Sequence, residues 1–273
     1  MSVFYLGPTL ASLVFSFTDY PIIATPRWAG LKNYRTLLHD PAFLTSLKVT
    51  ALYTVCALAL YVVAGLALAL LCNRRVPGIG LVRTIVFLPS LIPVFVMAFL
   101  WGWLLNTDFG LVNFLLNALG LPSQGFFQSE SQALWLTVVV SFWTLGSAFI
   151  VYLAGLQSVP HDLYEAVTVD GGGALRKFWH VTLPMISPII LFNLVIGMIL
   201  SFQVFDIAWA LTKGGPGDST LFLVLFIWRT AFEQFDMGYA SALAWVLFLV
   251  IVGITALVFR TARYWVHYES AVR

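Results

Sequence analysis

Charged residues punctuate an otherwise apolar chain, and the intervals between them set its architecture. A helix needs about 20 consecutive apolar residues to cross the hydrocarbon core of a bilayer. Five uncharged intervals reach that length: Lys48 to Arg74, Arg83 to Asp108, Glu130 to Asp162, Lys177 to Asp206 and Asp236 to Arg260. A sixth stretch, Val3 to Phe17, is uncharged but short for a full crossing, and a tilted or incomplete first span is expected there. No basic segment precedes this run, as a cleavable signal peptide would require. The pattern predicts spans at about 3–17, 49–72, 84–106, 133–156, 186–211 and 238–259. The expected fold is therefore an all-α membrane protein, a six-helix transmembrane bundle forming a single domain over 1–273.

Two further apolar segments are too short to cross. Leu221 to Phe232 contains Arg229 and reads as a helix lying in the interface or packed against the bundle. Leu111 to Leu121 reads in the same way. Pro89 and Pro93 fall inside the third span, where each removes a backbone donor and loosens the helix. The result is a kinked pore-lining helix or a simple structural bend.

Composition agrees with the pattern. The 273 residues are 60% hydrophobic and 10% charged, against about 25% charged in an ordinary soluble domain. Tryptophan and tyrosine, ten of each, suit the boundary between lipid and water. A net charge of +2 with dispersed cations gives no footprint for nucleic acid. Cys56 and Cys72 lie in one apolar run, about 24 Å apart if it is helical, beyond disulfide reach. They read as inert packing residues. His39, His161, His180 and His267 have no metal-ligand spacing, so no metal site and no cofactor are expected in this chain.

Six crossings place both termini on one side, and the basic segments choose it. Arg74, Arg75, Arg83, Arg176, Lys177, Arg260, Arg263 and Arg273 flank one face, eight cations against six on the other. The excess puts those segments in the cytoplasm and predicts a multi-pass protein of the cytoplasmic membrane. Cysteines introduced at Asp218 and at Arg176, in a background lacking Cys56 and Cys72, are expected to label from opposite faces. Labelling of both by an impermeant reagent from outside would exclude this topology.

The most informative segment is the long loop at about 157–185 between spans four and five. It runs Leu163-Tyr164-Glu165-Ala166-Val167-Thr168-Val169-Asp170-Gly171, then Arg176-Lys177-Phe178 and Val181-Thr182-Leu183-Pro184. Two short helices joined at Gly171 make a compact knob, because glycine permits the positive-φ turn that ends the first. Such a knob either docks into a cleft on a cytoplasmic partner or merely joins two spans.

This loop resembles the coupling loop of inner-membrane permeases of binding-protein-dependent ABC importers. That pattern is Glu-Ala-Ala, three residues, Gly, nine residues, Ile, one residue, Leu-Pro, and Glu165, Ala166, Gly171, Leu183 and Pro184 stand at its spacing. Val167 replaces the second Ala and Val181 replaces Ile, and both keep apolar character. Further stretches resemble the carbohydrate-uptake branch, the maltose and glycerol-3-phosphate type. They are Gly30-Leu31-Lys32-Asn33-Tyr34, Arg83-Thr84 with Phe87-Leu88-Pro89, Leu153-Ala154-Gly155-Leu156-Gln157, Leu211-Thr212-Lys213-Gly214-Gly215-Pro216-Gly217, and Phe235-Asp236-Met237-Gly238-Tyr239-Ala240-Ser241-Ala242.

The resemblance implies the type I importer fold and a chain that is one of two similar permease subunits. It also implies two copies of an ATP-binding subunit, an extracytoplasmic solute-binding protein and a lipid environment. Glu165, Ala166, Asp170, Gly171, Leu183 and Pro184 would couple to the ATPase. The chain itself has no phosphate-binding Gly-x-x-x-x-Gly-Lys-Ser/Thr pattern and no nucleophile with a base, so it reads as a transport subunit and not an enzyme.

A solute path needs polar side chains among the spans. Span four supplies Trp143, Thr144 and Ser147, and span five supplies Asn193, Ser201 and Gln203. Hydroxyls, amides and an aromatic face suit a sugar ring. Serine, threonine and asparagine also join helices in membranes without touching a solute. Asp206 reads as a structural or gating residue near the outer interface. The expected solute is a mono- or oligosaccharide, with glycerol-3-phosphate or a related polyol phosphate as the alternative. An ion-coupled secondary carrier is the alternative from another class, but such carriers commonly hold ionisable groups at mid-membrane, and these spans have none there.

Overall fold

The computed structural model describes residues 2–74 and 76–267; Arg75 and Arg273, two of the cations counted above, lie outside the described residues. The chain is helical almost throughout. Helices Pro41–Cys72, Glu130–Ser158, Ser187–Leu211 and Met237–Ala262 are long and apolar enough to cross a membrane. Only 17% to 39% of their most apolar windows is buried, so most of each span faces outward, as a bilayer allows and water does not. The first apolar helix, Phe4–Ser16, is short.

The third span is where backbone chemistry reshapes the pattern. Helix starts at Ile79, earlier than charge spacing suggests, and the pair Ile79–Leu91 and Val94–Leu104 bends by 93°. Pro93 forces the residue before it out of helical geometry, and Ile92 is extended at φ −77°, ψ 127°. The Leu88–Leu91 turn tightens into a 3₁₀ helix with Pro89 in its first turn, where a missing N–H costs nothing.

The chain divides into two compact units. The first comprises Met1–Thr54, Val94–Val138 and Ser201–Ile254. Of the two readings of the 221–232 segment, the one realised is packing within the bundle. Leu221, Phe222, Leu223, Leu225 and Phe226 are buried. Phe222 meets Tyr53 edge-on with ring centroids 5.0 Å apart, and the Leu223 amide donates to Thr50 Oγ1 at 2.8 Å. Arg229 is accommodated by donating to the Lys213 carbonyl and lying 3.8 Å from Glu233. By contrast, the Leu111–Ala118 helix leaves Phe114 and Leu115 exposed.

Two of the motifs resolve into one polar knot in this unit. Strands Thr18–Asp19 and Arg27–Trp28 pair antiparallel, Thr18 opposite Trp28 and Asp19 opposite Arg27. Asn33, buried, donates its side-chain amide to the Ser16 and Thr18 carbonyls, both at 2.9 Å, and Tyr34 and Ser16 share a 2.8 Å hydroxyl contact. These bonds satisfy carbonyls that the end of the first helix leaves without partners. Asp40 accepts the Ala42 amide at 2.9 Å and the Tyr239 hydroxyl at 2.6 Å. Asp236 caps the last span by accepting the Tyr239 amide at 2.9 Å, while Met237 and Gly238 donate to the Tyr20 carbonyl.

The second unit comprises Val55–Pro93, Val139–Leu200 and Thr255–Arg273. Its core gathers Ala69, Cys72, Ala148, Phe149, Tyr152, Leu153, Leu156 and Ile186. Glycines let its spans approach closely, the usual substitute in lipid for a hydrophobic driving force. A Cβ on Gly65 would meet Ala148 and Tyr152 at 3.3 Å, and one on Gly155 would collide with Ile189. Arg83 donates from Nε and Nη2 to the Cys72 carbonyl at 3.2 and 3.0 Å, capping the second span at its C-terminal end.

Candidate functional site

The loop between spans four and five forms a knob on a fixed base. Helix His161–Val169 follows Pro160, with Asp162 in its first turn, where a negative charge complements the helix dipole. His161 and Glu165, one turn apart and exposed, lie 3.1 Å from each other. The helix ends in a Schellman motif: the Gly171 amide donates to the Thr168 carbonyl at 3.0 Å and the Gly172 amide to the Val167 carbonyl at 2.8 Å. Gly171 takes φ +75°, the left-handed turn expected from its sequence position. Gly172 was not singled out by sequence. A Cβ there would stand 2.5 Å from Val167 Cγ1 and 2.8 Å from its carbonyl oxygen.

The return arm starts with helix Ala174–Lys177, widens to π-helical geometry over Phe178–Thr182 and continues through Leu183–Met185. Pro184 sits in the first turn of that last piece. Val181, Thr182 and Ile186 are buried, and Leu183 and Pro184 half-buried. Tyr164 reaches across to Thr182, hydroxyl to hydroxyl at 3.1 Å, so the knob helix is tied to its base. Ser187 Oγ donates to the Pro184 carbonyl at 2.6 Å and accepts the His267 amide at 2.9 Å.

What the knob presents is mixed in character. Glu165, Ala166, Asp170 and Gly171 are exposed, so the structure brings them together on one protrusion. Val169 is 87% and Leu175 73% exposed, two apolar side chains of the same loop that charge and spacing do not reveal. Among the described residues no cluster of three or more His, Cys, Asp or Glu could hold a metal.

The candidate solute-path residues are distributed over both units. In the second, span four breaks into a 3₁₀ turn at Phe142–Thr144 that packs against the Leu88–Leu91 turn of span three. Irregular backbone at membrane depth persists only where protein or a water-filled cavity surrounds it. Trp143 and Thr144 are half-buried here, with Thr144 Oγ1 donating to the Ser141 carbonyl at 2.8 Å. Ser147 is exposed, donates to the Thr144 carbonyl at 3.0 Å and lies 3.4 Å from the Tyr61 hydroxyl. Tyr61 in turn packs its ring on Gly197, whose missing side chain leaves Cδ1 at 3.0 Å from the Cβ position. Neither Tyr61 nor Gly197 carries a signal that sequence could rank above ordinary packing.

Asn193 is buried, and its side-chain amide donates to the Ile189 carbonyl of its own helix at 3.1 Å. In the first unit Ser201 is half-buried near the end of helix Ser187–Phe202, and Gln203 is exposed in the interruption that follows. Asp206, also exposed, opens the next helical piece, Asp206–Leu211.

Comparison with known proteins adds an independent line. The family model for "binding-protein-dependent transport system inner membrane component" matches residues 61–265. Over 272 residues the chain is 39% identical to the probable ABC transporter permease protein YesP of Bacillus subtilis (strain 168), covering 98% of this chain and 88% of that one. It is 32% identical over 266 residues to the probable starch degradation products transport system permease protein AmyD of Thermoanaerobacterium thermosulfurigenes, covering 93% and 90%. Among solved structures, a bacterial ABC transporter involved in the import of the acidic polysaccharide alginate superposes with a TM-score of 0.86. That match has 25% identity and covers 96% of this chain and 91% of the other.

Proposed function

This chain belongs to the family of binding-protein-dependent transport system inner membrane components, and from that premise we propose that it forms half of a translocation path for a hydroxyl-rich sugar. As a family member it is a multi-pass permease of the inner membrane and not itself an enzyme. A second, similar permease completes the path, two copies of an ATP-binding subunit drive it, and an extracytoplasmic binding protein delivers the solute. The observation that carries this reading is the knob. Glu165, Ala166 and Val169 are exposed on a helix tied through Tyr164 to buried Thr182, and Asp170, Gly171 and Leu175 are exposed in the turn and the short helix that follow. Pressure on the knob therefore passes into the base of span five instead of being absorbed in a flexible loop.

A carbohydrate cargo is supported by the relatives named for starch degradation products and alginate, and by the chemistry of the spans. Thr144, Ser147, Ser201 and Gln203 offer neutral hydrogen-bonding groups, with Trp143 and Tyr61 as aromatic faces. Asn193 contributes by bracing span five. Strong binding of a phosphate calls for charge-assisted donors. Two arginines near the spans are committed elsewhere, Arg83 to the Cys72 carbonyl and Arg229 to the Lys213 carbonyl. A neutral solute is therefore favoured over glycerol-3-phosphate.

The test is competitive uptake by the assembled importer in proteoliposomes, with a radiolabelled disaccharide, glycerol-3-phosphate and a uronic-acid oligomer. Preference for the neutral sugar is expected. Preferential uptake of the phosphate ester, poorly inhibited by sugars, would overturn the choice of cargo.

A further inference from the structure

Between the end of the first helix and the start of the second span, residues 17–40 fold into a surface that no transport role explains. Its helix Lys32–His39 has three sectors, not two. At about 100° per residue, buried Asn33 and Leu37 mark the sector facing the unit's interior. The exposed arc then divides. Tyr34, Leu38 and the capping Leu31 take one half, and Lys32, Thr36, Arg35 and His39 take the other.

A helix facing water on its free side would be polar across that whole arc. Here Leu31 is 57% and Leu38 69% exposed. The neighbouring hairpin repeats the arrangement, with Trp28 74% and Ile23 88% exposed beside Arg27. Trp28 is nonetheless held in place, stacked on Phe17 with centroids 5.9 Å apart.

We propose that this segment is an interfacial anchor lying in the lipid headgroup layer. Leu31, Leu38, Ile23 and Trp28 enter the acyl boundary, and Arg27 and Arg35 pair with lipid phosphates. Charge fits this occupant. Of the two acids in the segment, Asp19 is paired with Lys32 at 2.8 Å and Asp40 is turned inward to Tyr239, and among the described residues no ion pair engages Arg27 or Arg35. Position fits as well, because the segment joins the first apolar helix, Phe4–Ser16, to the span-length helix Pro41–Cys72. Tryptophan with aliphatic side chains below a row of cations is the composition that suits that depth.

Single cysteines replacing Leu31, Thr36, Leu38 and His39, in the assembled importer without Cys56 and Cys72, can be spin-labelled in phospholipid nanodiscs. Labels at 31 and 38 are expected to collide preferentially with oxygen, and labels at 36 and 39 with a water-soluble nickel complex. A bimane at Trp28→Cys is expected to be quenched by brominated acyl chains, which gives a second readout at the hairpin. Equal nickel access at 31 and 38 overturns the proposal in favour of a water-facing surface. Shielding of both positions from both reagents overturns it in favour of a protein partner.

Discussion

Gly171→Leu is expected to lower uptake by the assembled importer by about an order of magnitude while the subunit still inserts in the membrane. The reason lies in the backbone. Gly171 sits at φ +75°, and a Cβ there would meet nothing within 4 Å, so steric crowding is not the issue. A leucine in left-handed geometry costs about 1–2 kcal/mol. That is a factor of roughly 5–30 in the population of correctly ended knobs. The Schellman bonds from Gly171 and Gly172 are lost with the turn, and the path from helix His161–Val169 to helix Ala174–Lys177 changes direction. Gly171→Asn provides the control, because asparagine tolerates this conformation, and it should retain most of the activity. Normal transport by the leucine variant at normal expression would remove this loop from the coupling mechanism.

Gly238→Ala is expected to act on folding instead of coupling, with a cost on the order of 3 kcal/mol. The added methyl would run into the Thr18 carbonyl oxygen and stand 3.1 Å from the Tyr20 nitrogen. Both obstacles are backbone, so no rotamer change relieves them. Making room separates the last span from the strand segment and breaks the bonds from Met237 and Gly238 to the Tyr20 carbonyl. The melting temperature of the detergent-extracted subunit should fall markedly. Gly253→Ala on the same helix is the comparison, since its Cβ would meet nothing within 4 Å and alanine is the better helix former. Equal melting temperatures for the two variants would contradict the close approach at Gly238.

Much of the fold is written in the sequence through specific residues. The long spans announced themselves because charge cannot be hidden in lipid, so Glu130 and Asp236 stand where their helices start, whereas the second helix begins at Pro41, two turns before Lys48, because a charge limits a span in lipid without ending a helix. Gly171 was readable because glycine takes its left-handed conformation with no Cβ penalty. The size of the bend at Ile92–Pro93 was not, since proline forbids a helix without dictating the new direction. The burial of Leu221, Phe222, Leu223, Leu225 and Phe226 was equally hidden, because an apolar segment suits lipid and protein interior alike. The Asp40 to Tyr239 bond, between residues 199 apart in the chain, has no local signature. Within the solute-path set, hydroxyls were visible as residue types, but which were committed to their own helix, as Asn193 is, depended on side-chain direction.

The glycines of the second unit have a mechanical consequence. Where Gly65 lies against Ala148 and Tyr152, Gly155 against Ile189 and Gly197 against Tyr61, one partner contributes no ridge. Helices locked by interdigitated side chains must change rotamers to slide past one another. At these three contacts a side chain instead rests on bare backbone, like a bearing on a smooth track. A small shear step at such a contact asks for no rotamer change on the glycine side.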